Sequence, residues 1–176
     1  PKPSSAASDV YKRQSHFIDQ IMSIVDSDVD FVSGLNQKRV WNHVTNADHA
    51  QVNINFKDGL QAVFINSDLA AARKPKFYVL GTQGAIIGNW DESGDGSVAD
   101  LPAIISLHRA DGTSEVIKHV SVEPYSFYSS LVAYVNDGTP MSIVAQQSRD
   151  VVAIMQAAEE SALSNGKPVT PLLLRA

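Results

Sequence analysis

The segment Gln51–Asn66, Gln-Val-Asn-Ile-Asn-Phe-Lys-Asp-Gly-Leu-Gln-Ala-Val-Phe-Ile-Asn, decides the fold class of this chain. Apolar and polar side chains alternate strictly from Val52 to Phe56, which predicts a β-strand with one covered face. A second strand-like run covers residues 60–66. Because Asp58-Gly59, between the two runs, supplies the positive φ that a tight turn needs, the segment predicts a hairpin.

Outward from this hairpin, the chain divides into further strands and three helices. Strands are predicted at 31–41, with an interruption at Gly34, and at 76–80, 85–88, 103–109 and 114–120, the last two joined by an Asp111-Gly112 turn. Helices are predicted at 15–25, 125–135 and 145–164. The last helix is expected to bury one face, which carries an apolar stripe of Val151, Val152, Ile154, Met155, Ala158 and Ala162. One helix, a meander of strands and then two helices predict an α+β fold. Its sheet is expected to be mainly antiparallel (mixed) and open, with helices packed on one face.

Length and composition limit the classes of protein that this chain can represent. Its 176 residues, 44% of them hydrophobic, suffice for one sizeable core and predict one domain. The net charge of −5 argues against a nucleic-acid partner, and no apolar run approaches the roughly 18 residues that span a membrane. The absence of cysteine excludes disulfides and thiolate chemistry. A cytoplasmic location is expected.

Residues 1–14 differ from the rest of the sequence. They are mostly small and polar, show no periodicity, and carry a charge of +2, from three basic residues and one acid. These features are typical of a disordered or non-native leader, and the segment resembles the translated adapter found on truncated reading frames. The domain is therefore expected to occupy residues 15–176.

The opening helix carries the main candidate site. His16 and Asp19 are three residues apart, so on a helix they share one face, while apolar residues such as Ile18 and Met22 fall largely on the opposite face. An imidazole beside a carboxylate can bind a ligand and transfer a proton. The alternative is a surface histidine and an aspartate that favours the helix dipole, after Ser15 as N-cap.

Two stretches match metal-site patterns only in part. His43, Asp48 and His49 fit no standard spacing of metal ligands, so the histidines are expected at the surface. Residues 91–102 begin like a calcium-binding loop, but Pro102 stands where the bidentate glutamate belongs. No metal site is predicted.

Three weaker patterns remain open to more than one interpretation. Gly94–Ala99 has the glycine spacing of a dinucleotide fingerprint, but it follows acidic residues and runs into Pro102, so no cofactor site is predicted there. His108 and His119 are expected to contact each other across neighbouring strands. An aromatic sugar platform and ordinary packing explain five residues equally well: Trp41, Trp90, Tyr125, Phe127 and Tyr128.

Three stretches resemble, in the right order, the C-terminal domain of the Gfo/Idh/MocA oxidoreductases. Ser15–Gln20 is similar to the G-x-H-x-x-D segment that opens the first helix after the Rossmann domain. Tyr78–Ala85 resembles the v-x-G-t-x-G strand and turn, and residues 127–169 resemble the closing pair of helices and the final strand. The resemblance covers residues 15–172 and implies the C-terminal domain alone, with the N-terminal Rossmann domain absent.

The resemblance implies a substrate-binding and oligomerisation domain of an NAD(P)-dependent oxidoreductase acting on a sugar, cyclitol or related polyol. His16 would be the catalytic acid–base residue and Asp19 a substrate contact. The family's aspartate four residues before the histidine is replaced by Lys12, and its glycine-rich loop and E-K-P lysine are missing. NAD or NADP is therefore expected in the full-length enzyme, with none bound by this chain, which should be inactive alone.

The resemblance further implies two macromolecular partners: the missing Rossmann domain, and a second copy bound through the sheet. A different class of protein stays open as the alternative. In that case the chain is a free-standing, non-catalytic dimerisation or carbohydrate-binding module, and His16 is a surface histidine.

Overall fold

The computed structural model describes residues 15–43, 47–93, 102–120 and 123–174. The chain divides into two compact units. Unit 1 comprises residues 1–70 and 127–176, and unit 2 comprises residues 71–126. The expected α+β class with antiparallel sheets is confirmed, although the described strands form two sheets, one of three strands and one of four. The proposed leader, residues 1–14, lies outside the described residues.

Unit 1 contains the hairpin that decides the fold. Helix α1 covers residues 15–24, followed by strands β1 (Val29–Gln37), β2 (His49–Phe56) and β3 (Gln61–Ser67). The strands form an antiparallel sheet in the order β1-β2-β3. Helices α2 (Ser126–Asp137) and α3 (Ala145–Leu163) follow later in the chain. These bounds agree with the predicted hairpin and helices to within a few residues.

The core of unit 1 lies between one face of this sheet and helices α1 and α3. Every second residue of β2 is buried, which confirms the alternation that predicted a strand with one covered face. Ile18 of α1, Ile54 of β2 and Ile154 of α3 are each fully buried and belong to one hydrophobic cluster. Burial of such a side chain contributes about 1.5–3 kcal/mol, so this cluster holds α1 and α3 against the sheet.

Gly34 does not interrupt β1 as the sequence suggested, because the strand runs through it. The glycine instead permits a close approach of helix α3. A Cβ atom at residue 34 would lie 1.9 Å from the carbonyl oxygen of Ala158. The Gly34 amide donates a hydrogen bond to Ser161 Oγ at 2.9 Å, and Ser161 Oγ donates to the Lys167 carbonyl at 2.6 Å. Strand, helix and C-terminal segment therefore meet at this glycine.

Unit 2 is a meander of four antiparallel strands. They are β4 (Phe77–Gly81), β5 (Gly84–Trp90), β6 (Ala103–Arg109) and β7 (Ser114–Ile117), in that spatial order. Asp111 closes the predicted Asp-Gly turn between β6 and β7 by accepting hydrogen bonds from the amide and hydroxyl of Thr113. Strand β7 ends three residues before the predicted Val120.

The two late helices differ in how much of their surface is covered. No residue of α2 is buried, although its sequence is largely apolar. On α3 the buried stripe includes Val151, Ile154 and Ala158 as predicted, but Val152 is 60% exposed, and Ser161 is buried instead. None of the helices in the described residues is both long and apolar enough to cross a membrane.

Candidate functional site

Helix α1 displays His16 and Asp19 on its exposed side. Both residues are exposed, whereas Ile18 and Met22 are buried in the core of unit 1. Buried side chains on both sides of Asp19 in the sequence anchor the helix, so the imidazole and the carboxylate project from a fixed element. The two groups can therefore meet a ligand from solvent, as the spacing predicted. Their catalytic and substrate-binding roles stay predictions.

The start of α1 lies at the end of unit 1 where strand β1 finishes. The chain passes from the end of α1 directly into the start of β1, so the helix runs back along the strand. The centre of the Phe17 ring lies 5.6 Å from the centre of the Phe64 ring. The register of the sheet places Phe64 in the same row of residues across the strands as Gly34. Gln37, where β1 ends, lies three residues beyond Gly34, which is about 10 Å along the strand. His16 therefore shares this end of unit 1 with the segment that follows Gln37.

A small polar depression adjoins the Asp19 side of α1. Asp19, Met22 and Ser23 line it from α1, and Gln147 and Asp150 line it from α3. It extends the candidate site onto α3, a helix that the sequence analysis treated only as packing.

Asp150 is the residue of this depression that the sequence analysis missed. Its carboxylate is buried, and Oδ1 accepts hydrogen bonds from Arg149 Nη1 at 3.2 Å and from the Leu174 amide at 2.8 Å. Arg149 also donates to the Leu172 carbonyl. The sequence signal that could have identified Asp150 is a carboxylate four residues before Ile154, within the buried stripe of α3.

Asp48 forms the second buried acidic centre of unit 1. It is 1% exposed, and its carboxylate accepts hydrogen bonds from the amides of Arg39 at 2.8 and 3.0 Å, Val40 at 2.7 Å and Trp41 at 3.1 Å. These bonds, with the Val40 amide contributing most, hold the pKa of the Asp48 carboxyl below its ordinary value of 3.8, although burial opposes the lowering. Because Asp48 binds the amides of residues 39–41, the strand that was predicted to reach Trp41 ends at Gln37.

The partial metal pattern around Asp48 has a structural explanation. The carboxylate binds backbone amides, and His43 is exposed on the segment that these bonds hold. Among the residues that the structure describes, no three His, Cys, Asp or Glu side chains are grouped so as to hold a metal ion. The main part of the loop that resembles a calcium site, residues 94–101, lies outside the described residues.

The expected contact between His108 and His119 is wrong. His108 lies opposite Ser114 in the β6–β7 ladder. Because β7 ends at Ile117, His119 reaches the start of β6, where its Nε2 lies 2.6 Å from the Ala103 carbonyl oxygen. The two histidines are therefore separated by most of the length of β6.

The aromatic residues considered as a sugar platform are divided between the two units, with Trp90 and Tyr125 in unit 2 and the others in unit 1. In unit 2, the Lys76 ammonium lies 5.1 Å from the centre of the Trp90 ring, and Trp90 Nε1 donates to the Lys74 carbonyl. On α2, Phe127 and Tyr128 form an edge-to-face pair with centroids 5.6 Å apart. The contact between the Lys76 ammonium and the Trp90 ring is a packing role, which is one of the two interpretations that the sequence left open.

The described strands lack the topology of a dinucleotide-binding unit. All strand pairs among them are antiparallel, whereas such sites use a parallel strand–helix–strand unit with the pyrophosphate at the helix N-terminus. Gly94–Ala99, the stretch with the glycine spacing of the fingerprint, lies outside the described part of the chain. That this chain alone binds no NAD(P) stays a prediction.

Comparison with known families supports the resemblance found in the sequence. Residues 9–87 match the family model described as the GFO/IDH/MocA C-terminal domain. The predicted resemblance to this oxidoreductase C-terminal domain is therefore confirmed. The comparison with curated proteins gave no match.

Solved structures show the same fold. The candidate oxidoreductase YvaA from Bacillus subtilis is similar with a TM-score of 0.75 and 18% identity, over 92% of this chain and 49% of that protein. A candidate NADPH-dependent oxidoreductase from Desulfitobacterium hafniense gives 0.72 and 21%, over 88% and 45%. An NAD-binding protein from Listeria innocua gives 0.68 and 22%, over 89% and 45%. The chain spans about half the length of these structures.

Proposed function

We propose that this chain is the substrate-binding and oligomerisation domain of an NAD(P)-dependent oxidoreductase acting on a sugar, cyclitol or related polyol. The observation that carries the proposal is the exposed pair His16 and Asp19 on a helix whose other side is buried in the core. The match of residues 9–87 to the oxidoreductase C-terminal domain favours this function over a free-standing module. The names of two structural relatives, NAD-binding and NADPH-dependent, support a nicotinamide cofactor for the whole enzyme.

The chemistry assigned to this chain is proton transfer and substrate orientation. Oxidation of a substrate C–OH to C=O would send a hydride from the carbon to NAD(P)+ held by the other domain and would release a proton from the oxygen. The His16 imidazole, on α1, can accept this proton. The Asp19 carboxylate, one turn further along, can accept a hydrogen bond from a neighbouring hydroxyl and so orient the polyol. The nicotinamide cofactor is assigned to the Rossmann domain of the whole enzyme; the antiparallel pairing of the described strands supports this assignment.

Exposed apolar residues of unit 2 support the assignment of oligomerisation to a sheet. On one face of the β4–β7 sheet, Tyr78, Leu80 and Val116 are 60%, 71% and 65% exposed. Apolar strand residues that are left open in this way are typical of an interface, whose centre is depleted of charge. A second copy of this chain is the proposed partner.

The experiment that tests the proposal is the sequence of the parent DNA upstream of codon 15. An in-frame Rossmann domain that ends in Asp-x-Gly before Ser15 would supply the aspartate four residues before His16 and the cofactor site. A stop codon followed by a ribosome-binding site would contradict the proposal and favour the free-standing module.

Isothermal titration calorimetry of the 176-residue chain tests the division of labour between the two domains. Neither NAD nor NADP should bind, because the pyrophosphate-binding turn belongs to the other domain. Saturable binding of either nucleotide would contradict the assignment of this chain to the substrate side alone.

A further inference from the structure

A short basic segment of unit 1 is held in place by Asp48. The amides of Arg39, Val40 and Trp41 all donate to its buried carboxylate. The Asp48 amide in turn donates to the Gln37 carbonyl at 3.0 Å. Hydrogen bonds at residues 37, 39, 40 and 41 therefore fix the backbone around Arg39, whereas the Arg39 side chain is exposed.

Arg39 differs from the other arginines that the structure describes. Three of the four make an ion pair with an acid: Arg73 with Glu92, Arg109 with Glu115 and Arg149 with Asp150. Within the described part of the chain, Arg39 has no such partner. An unpaired guanidinium on a fixed backbone, in a chain of net charge −5, is a pre-positioned binding group for an anion.

The position of Arg39 relates it to the proposed site. Residue 39 follows the end of β1 by two residues, at the end of unit 1 where α1 begins. His16 lies at this same end, on the exposed side of α1. A ligand long enough to reach from His16 to the segment after β1 therefore has a guanidinium there for a charged group.

We infer that Arg39 binds an anionic group of the substrate, so that the substrate class is an acidic or phosphorylated sugar derivative rather than a neutral polyol. The inference rests on the proposed function, since it adds a second contact to the His16 site. A carboxylate and a phosphate share the necessary chemistry, because the planar guanidinium donates two parallel hydrogen bonds to either group.

Nuclear magnetic resonance of the full ¹⁵N-labelled chain tests this assignment at low ionic strength. The probes are inorganic phosphate, acetate, glucose, gluconate and glucose 6-phosphate. We expect saturable shifts of the amides of residues 39–41 with the anionic probes. Gluconate or glucose 6-phosphate should bind at least about tenfold more tightly than glucose, because a hydrogen bond to a charged group is worth about 1.5 kcal/mol or more. Of these two probes, the one that binds more tightly identifies the anionic group: gluconate indicates a carboxylate and glucose 6-phosphate a phosphate.

Arg39→Gln should abolish the preference for the anionic sugars, while the amide spectrum of the core residues stays unchanged. Arg73→Gln is the matched control, since it removes an arginine that is already paired with Glu92 in unit 2, and it should leave the preference intact. Equal affinities for glucose and its charged derivatives, or an unchanged preference in Arg39→Gln, would overturn the assignment.

The same titrations separate this inference from the proposed function. Glucose that binds near His16 as tightly as its charged derivatives would support the polyol site and overturn the role of Arg39. Anionic probes, gluconate or glucose 6-phosphate among them, that shift residues 39–41 while no sugar shifts the residues around His16 would support the role of Arg39 and contradict the polyol site.

Discussion

At the scale of single residues, buried polar groups determine how unit 1 is held together. Asp48 and Asp150 are almost fully buried; the Asp48 carboxylate accepts from the amides of residues 39–41, and the Asp150 carboxylate accepts from the Leu174 amide. A buried carboxylate is tolerated only when hydrogen bonds replace its hydration. Both residues therefore act as attachment points, Asp48 for the segment after β1 and Asp150 for the C-terminal segment.

The lowered pKa of Asp48 makes the stability of unit 1 dependent on pH. The pKa of Asp48 in the folded state lies below the ordinary value of 3.8. The contribution of its carboxylate to the free energy of unfolding is therefore fully present above pH 3.8 and is lost as the pH falls through the folded-state pKa. We expect the urea midpoint of unfolding to fall as the pH drops below about 4.

Asp48→Asn should have a lower urea midpoint at pH 7 and a weaker dependence on pH below 4, since its amide cannot be protonated there. Parallel pH profiles for the two proteins would show that Asp48 does not carry the effect. Asp58→Asn, at an exposed turn position, is the matched control and should follow the parent profile.

Gly34 makes a second prediction at the residue scale. Gly34→Ala would place a Cβ atom 1.9 Å from the Ala158 carbonyl oxygen, so strand β1 and helix α3 must separate. We expect a loss of about 1–3 kcal/mol in the free energy of unfolding, measured by urea denaturation. Gly81→Ala, where the nearest atom lies at 3.6 Å, should have a much smaller effect. Equal losses in the two variants would contradict the close approach of α3.

At the scale of elements, α1 matters most because it carries His16 and Asp19. The helix is short, so packing rather than intrinsic propensity must hold it in place. Its anchor is the buried side formed by Ile18 and Met22. The position of the proposed acid–base group therefore depends on core packing.

Two isoleucines of α1 provide a matched test of this anchor. Ile18 is fully buried, whereas Ile24 is 67% exposed. Ile18→Ala should reduce the free energy of unfolding by about 2–5 kcal/mol, because it leaves a cavity between the helix and the sheet. Ile24→Ala should change it by less than about 0.5 kcal/mol. Similar urea midpoints for both variants would show that α1 is not docked as described.

The elements also show how far local sequence patterns reach. Alternation predicted β2 and the Asp-Gly turns predicted two hairpins, because these signals involve neighbours in the sequence. The end of β1 was misplaced because Asp48, which binds the amides after Gln37, lies about ten residues further along the chain. Val152 was wrongly placed in the buried stripe of α3, since periodicity alone does not define which part of an apolar face is covered.

At the scale of the whole molecule, exposed apolar surface predicts self-association. Leu80 and Val116 of the β4–β7 sheet are more than half exposed. We expect light scattering to give a mass above that of the monomer, with the proportion rising with protein concentration. Leu80→Lys and Val116→Lys should lower the measured mass, because each places an unpaired charge in the proposed interface.

Val152→Lys is the control for self-association, since Val152 is equally exposed but lies on α3 in unit 1. It should associate as the parent does. A strictly monomeric parent at all concentrations would contradict the assignment of oligomerisation to this sheet.

The sequence by itself determined the α+β class, the helix that carries His16 and Asp19, and the resemblance to an oxidoreductase C-terminal domain. Each of these depends on spacing along the chain, on turn residues or on short motifs. Tertiary structure alone decided the roles of Gly34, Asp48 and Asp150, because the helix or the backbone amides that they contact lie seven or more residues away in the sequence. Gly34 and Ser161, which share a hydrogen bond, are 127 residues apart, and no local pattern specifies which residue a folded chain will place beside another.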